Sequence, residues 1–286
     1  MRSYSRRELN TVTALAVDPN GTKVACHGFE SRLVNIDNFV GFLFILDAAT
    51  GALSSGLMVL EHDGAYTVTS AGFLLDNDLT VHIAFDHQGT NVFSKEQPMR
   101  WGSYNGATNT MNYLKEGTTG VTSCLVRGEG SYSAYIYMGG SRYSSSSSQY
   151  SLLISRIDPS NPGTINAWAI EYDYDCDDDR RMLWSGSSSR AAYIDHMAWH
   201  TDGSNELLFG TSRAHEQGSG SPGDRNFVWR VRMSTSSGGP STSNYEFYEL
   251  DLSNGWSTTN TILGISPTLE DSSNKYYMHI IYDDGA

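Results

Sequence analysis

Cysteine is scarce in this chain: Cys26, Cys124 and Cys176 are the only three in 286 residues. The number is odd and too small for a disulfide scaffold. Cys26 and Cys124 stand in apolar stretches, where a buried free thiol is expected. No apolar run approaches the ~20 residues of a membrane helix, so no membrane span is expected. Helical periodicity over a helix-length window is also missing, which turns the reading toward strands. Positive charge is short: 19 Lys and Arg stand against 32 Asp and Glu, a formal net charge of −13. Such a surface repels phosphates, so no nucleic-acid partner is expected. Arg2, Arg6 and Arg7 near the start are followed by no apolar core, so no secretory signal is visible. The compartment stays open, with an extracellular or cell-surface setting favoured.

What the chain does have is a recurring strand–turn–strand unit. Val12-Thr13-Ala14 is echoed by Val68-Thr69-Ser70 and Val121-Thr122-Ser123, and more loosely by Ile194-Asp195-His196 and Ile262-Leu263-Gly264. A turn follows each opening: Asp18-Pro19-Asn20-Gly21, Asp76-Asn77-Asp78, Arg127-Gly128-Glu129-Gly130, Thr201-Asp202-Gly203 and Asp271-Ser272-Ser273-Asn274. These residues tolerate positive φ or fix a turn, and so join paired strands. A second apolar stretch comes next, at 23–26, 79–85, 134–138, 206–209 and 276–281, and often stops at glycine (Gly28, Gly139, Gly210). A second strand pair fits the gap after each of the first four units.

The period suits a four-stranded propeller blade with extended loops better than a solenoid coil. The expected fold is all-β: a β-propeller of four-stranded antiparallel blades in one domain, 1–286. Its blades fall at about 11–63, 64–119, 120–182 and 183–255, with a half blade at 256–286. The half blade implies a piece of a longer protein, completion by another chain or a ring that stays open, the first two being favoured. Its final strand is an edge open to strand addition. The octet Phe44-Ile45-Leu46-Asp47-Ala48-Ala49-Thr50-Gly51 resembles the third-strand-and-turn element of the β-propeller repeat superfamily, notably the quinoprotein-like and bacterial propeller repeats. The resemblance implies the fold. It does not extend to a quinone, because the tryptophan that often follows the glycine in quinoprotein repeats is missing.

Connections from second to third strand are long, at 30–38, 86–98, 141–149 and 211–226. First-to-second turns are short. In a blade these two sets leave from opposite ends, so one end collects the long loops, where binding residues usually sit. Ser31-Arg32, Ser141-Arg142 and Ser212-Arg213 follow a glycine there. Three arginines at equivalent positions would cradle an anionic group or an acidic partner. Trp184 and Trp256 lie on inter-unit connections and are the candidates for stacking on a ligand. Asp173, Asp175 and Asp177 have the alternate-carboxylate spacing of a calcium loop, although Asp178 and Trp184 break the EF-hand pattern. A solvated acidic loop is the simpler reading, so no cofactor is expected and Ca2+ is the alternative. His196 and His200 fall on a strand, where four residues span ~13 Å, too far for one ion. Gly218, Gly220 and Gly223 lead into a strand rather than a helix, so they form no dinucleotide fingerprint.

No catalytic residues are assigned. The expected function is a non-enzymatic binding or scaffold module that presents its long-loop face to protein subunits or a glycan within an assembly. The alternative is a glycan-acting hydrolase or lyase with axial carboxylates. A calcium-stabilised extracellular structural module is the third reading.

Overall fold

The computed structural model describes residues 10–31, 39–55, 58–60, 67–88, 98–108, 110–119, 121–144, 149–161, 165–170, 184–185, 193–201, 205–215, 224–234, 237–250, 261–270 and 275–283. Among these the chain is almost entirely strand, with one short 3-10 turn at Gly130–Tyr132. No helix of the described residues is long and apolar enough to cross a membrane.

By contacts the chain divides into two compact units, Met1–Gly117 and Thr118–Ala286. The first unit holds two antiparallel meanders. One is β1 (Asn10–Val17), β2 (Lys23–Ser31), β3 (Phe39–Asp47) and β4 (Met58–Leu60). The other is β5 (Thr67–Leu75), β6 (Thr80–Gln88), β7 (Pro98–Asn105) and β8 (Thr110–Thr119). The second unit holds a third meander of β9 (Val121–Arg127), β10 (Ile136–Ser144), β11 (Gln149–Ile157) and β12 (Ile165–Ile170). A two-residue strand, β13 (Trp184–Ser185), also pairs with β11. The fourth meander is β14 (Tyr193–Thr201), β15 (Glu206–His215), β16 (Asp224–Met233) and β17 (Pro240–Leu250). A hairpin follows, β18 (Thr261–Glu270) and β19 (Lys275–Asp283).

Within each unit the first strand of one sheet packs on the first strand of the next: β1 on β5, then β9 on β14 and β14 on β18. Four-stranded meanders stacked through their first strands are propeller blades. The fold is therefore all-β and of propeller type.

The first strand of every sheet carries a β-bulge at the same place. The extra residue is Thr13, Ala71, Ser123, Asp195 or Leu263. The bulge fixes which residues are equivalent. The structural counterparts of Val12-Thr13-Ala14 are Ser70-Ala71-Gly72 and Thr122-Ser123-Cys124. The echo seen in sequence thus slips by two residues in the second sheet and by one in the third. A bulge increases local twist in the strand that carries it.

The second strands run further than their apolar stretches suggest, because the glycines at their predicted ends do not end them. Gly139 and Gly210 sit inside β10 and β15. A Cβ on Gly139 would lie 2.6 Å from Cys124 Sγ, and one on Gly210 only 2.1 Å from the Trp229 ring. These glycines are points of close packing rather than stop signals.

Each unit has its own core. In the first, Ala25, Leu43 and Ile45 of one sheet meet Phe73, Ile83 and Tyr104 of the next. In the second, Tyr137, Leu152 and Ile154 meet Ile194, Leu208 and Trp229. Trp101, Trp229, Cys26 and Cys124 are buried.

Candidate functional site at the long-connection end

The two ends of the sheets differ in kind. At the end of the short turns, carboxylates organise the backbone. Asp18 accepts from the Thr22 amide at 2.6 Å, the Lys23 amide at 2.7 Å and the Thr22 hydroxyl at 2.9 Å. Burial works to raise its pKa, but these donors outweigh it and the net shift is downward. Asp47 accepts from Lys23 Nζ at 2.9 Å and from the Thr50 hydroxyl at 2.8 Å, and is held well below the usual carboxylate range by those bonds, the Lys23 bond foremost. Asp158 is lowered in the same way, first by the Ser160 hydroxyl at 2.6 Å.

In the second unit this end is also where adjacent blades are clamped. Glu206 of β15 accepts from Trp199 Nε1 at 3.0 Å, from the Thr201 hydroxyl at 2.7 Å and from the Ser131 amide of the neighbouring sheet at 3.3 Å. Tyr137 donates its hydroxyl to the Gly238 carbonyl at 3.0 Å, and Arg156 Nη1 donates to the Ser237 carbonyl at 3.3 Å. Arg156 also lies 4.6 Å over the Tyr135 ring. Each of these groups has a structural assignment.

The opposite end, where β10 joins β11 and β15 joins β16, is different. Thr211, Ser212 and Asn226 are buried there, and Thr211 Oγ1, Ser212 Oγ and Asn226 Oδ1 have no hydrogen-bond partner among the described residues. Buried polar atoms without partners are uncommon and call for one, usually water or a ligand. Register puts Ser212 opposite Ile194 and Phe227 on the face that packs on the third sheet. Thr211 is opposite His196 on the other face. His196 is committed: its Nε2 donates to the Ile262 carbonyl of β18 at 2.9 Å.

The sequence candidates distribute as follows. Arg142 lies within β10, paired with Ser151, and Arg213 within β15, paired with Tyr193 and Asn226. Both were expected in loops and both stand on strands, because the second strands continue through their glycines. Counted from the residue opposite the start of the bulge, Arg142 is two positions past Gly140, and Arg213 one past Ser212. The two arginines are therefore one residue out of phase. Arg32, Trp256, Asp173, Asp175 and Asp177 lie outside the described residues, as does the 218–223 glycine loop. Among the described residues no group of three or more His, Cys, Asp or Glu could hold a metal ion.

Trp184 was expected on an inter-unit connection. It forms β13 and pairs with Tyr150 of β11, which in turn pairs with Tyr143 of β10. Tyr143, Tyr150 and Trp184 thus make one register row across three adjacent strands. Arg142 and Ser151 form the next row. Neither tyrosine is singled out by sequence, since the row exists only once the β10–β11–β13 register is known.

No family model matches the sequence, and no curated protein matches it. Solved structures of other proteins are similar to it. An apocarotenoid oxygenase mutant from Synechocystis aligns over 96% of this chain and 56% of its own, at 9% identity and TM-score 0.48. The chain thus spans little more than half the length of that protein. The β-propeller domain of the Trilobed protease from Pyrococcus furiosus, described as having an open velcro topology, aligns over 99% of this chain and 83% of its own, at 9% identity and TM-score 0.41. An exo-β-1,3-galactanase from Phanerochaete chrysosporium aligns over 87% and 66%, at 11% identity and TM-score 0.36. The activities of these proteins belong to them. The fold assignment rests on the sheets and their stacking.

Proposed function

We propose that the protein is a non-catalytic recognition module of an assembly, and that its long-connection end binds a glycan. The carrying observation is the register row Tyr143–Tyr150–Trp184. Neighbouring strands lie ~4.8 Å apart, so the row spans about 10 Å. Aromatic residues at that spacing suit successive sugar rings, which offer apolar faces for stacking and hydroxyls for polar partners. The buried hydroxyls of Thr211 and Ser212 in the neighbouring sheet, without partners among the described residues, offer polar contacts at this end. The net charge of −13 suits a neutral rather than an anionic glycan.

A protein partner is the second form of the same reading, reached through strand addition at β19. The hydrolase reading needs two carboxylates about 5–10 Å apart in a concave site. The carboxylates that stand out, Asp18, Asp47 and Asp158, are held by turn donors at the opposite end. That favours recognition over turnover.

A neutral-oligosaccharide array tests the proposal. Binding without release of reducing sugar, weakened about tenfold or more by Trp184→Ala, supports it. Absence of any bound oligosaccharide, or turnover of a bound one, overturns it.

A further inference from the structure

The stacking of sheets inside each unit has a direction. Each sheet has a leading face, which carries the second-strand residue opposite the end of the bulge, and a trailing face. The first sheet sets its leading face, with Ala25, Leu43 and Ile45, on the trailing face of the second, with Phe73, Ile83 and Tyr104. The third sheet sets Tyr137, Leu152 and Ile154 on Ile194, Leu208 and Trp229 of the fourth. The fourth directs its leading-face His196 at the Ile262 carbonyl of the hairpin, and Ile262 is buried. In all three contacts a leading face meets a trailing face.

Among the described residues, exposed apolar side chains gather in groups of three on two faces, while Tyr248 of β17 and Tyr282 of β19 are exposed apart from these groups. On the trailing face of the first sheet, Val12, Leu15 (63% exposed) and Val17 (58% exposed) stand in rows with Gly28, Cys26 and Val24. On the leading face of the hairpin, Ile281 (68% exposed) and Tyr277 stand in rows with Gly264 and Thr268, and the bulge residue Leu263 is exposed beside them. Single exposed apolar residues are ordinary, but several together on one sheet face mark an interaction surface. One of these surfaces is of trailing type and the other of leading type. They match each other in the way the internal contacts do, and neither matches itself.

We propose that they are the two halves of a head-to-tail contact between copies of this chain. The β18–β19 hairpin of one copy seats on the Val12–Leu15–Val17 face of the next. The occupant of each surface is thus a second copy, because the contact continues a packing rule that the chain already obeys three times. A contact between two different surfaces is heterologous, so it builds rings or open filaments rather than closed two-fold dimers. It uses the first sheet and the hairpin rather than the third sheet, and does not depend on what binds there. The charge of −13 on every copy opposes the contact, so added salt strengthens it.

Sedimentation of the wild type and of Leu15→Asp and Ile281→Asp tests the proposal. Both positions are exposed, so the variants keep the fold, which circular dichroism verifies. The wild type should form species larger than a dimer as concentration rises. Each variant alone should be monomeric. An equal mixture should give a dimer and stop there, because Leu15→Asp keeps a working hairpin and Ile281→Asp keeps a working first sheet. A wild type that stays monomeric at every concentration and salt level overturns the proposal. So does a variant that still self-associates, or a mixture that stays monomeric.

Discussion

Trp199 donates its indole Nε1 to Glu206 Oε2 at 3.0 Å, and this bond holds the short-turn end of the second unit together. Glu206 also reaches the Ser131 amide of the neighbouring sheet. Gly130, with φ +52°, gives the carboxylate room, since a Cβ there would lie 2.0 Å from Glu206 Oε1. Glu206→Ala removes three hydrogen bonds and leaves the buried indole without this partner. It should destabilise the fold by about 2–4 kcal/mol. Chemical denaturation measures this, and a loss below about 0.5 kcal/mol would remove the clamp from the account.

Gly210 gives a packing prediction. Its Cα faces the Trp229 ring so closely that an added methyl group would overlap it. Gly210→Ala should cost about 1–3 kcal/mol by overpacking, although alanine is the better residue in an ordinary strand. A neutral or stabilising result in thermal melts would contradict the close approach.

His27 is buried beside Phe73, with ring centroids 6.0 Å apart, and burial brings its pKa down to about 4. In the unfolded chain the imidazole titrates near 6.5. The unfolded state therefore binds the extra proton between those values, and stability falls as pH drops from about 6.5 toward 4. The contribution at stake is on the order of 3 kcal/mol. His27→Gln should flatten this part of the stability–pH curve, as urea titrations from pH 4 to 7 would show. An unchanged slope would mean that the acid sensitivity arises elsewhere.

Asp173, Asp175 and Asp177 give a metal prediction. As a solvated acidic loop, they predict that a calcium chelator leaves the melting temperature unchanged. A drop on chelation, reversed by added Ca2+, would assign a structural calcium loop instead, since a ligand that binds the native state stabilises it.

Much of the architecture was legible in the sequence, for physical reasons. Turn residues such as Asp18-Pro19-Asn20-Gly21 can do little but join strands, and they stand between β1 and β2. The bulges were not legible. A bulge adds one residue without changing residue type, so the echo at Val68-Thr69-Ser70 was aligned two positions from its structural counterpart. Gly139 and Gly210 misled because a glycine that ends a strand and one that receives a neighbouring side chain look alike until the neighbour is known. At the candidate site the chain announced Arg142 and Trp184. The register that sets Trp184 beside Tyr150 and Tyr143 is non-local, with more than thirty residues between the first two.

Recognition at the long-connection end is the central claim, and amide hydrogen exchange with a bound oligosaccharide tests it most directly. Protection on binding should concentrate at residues 141–151 and 184–185, around Arg142, Tyr143, Tyr150 and Trp184. Protection concentrated instead at the Gly128–Tyr135 and Ser234–Gly239 turns, at the clamped end, would contradict it.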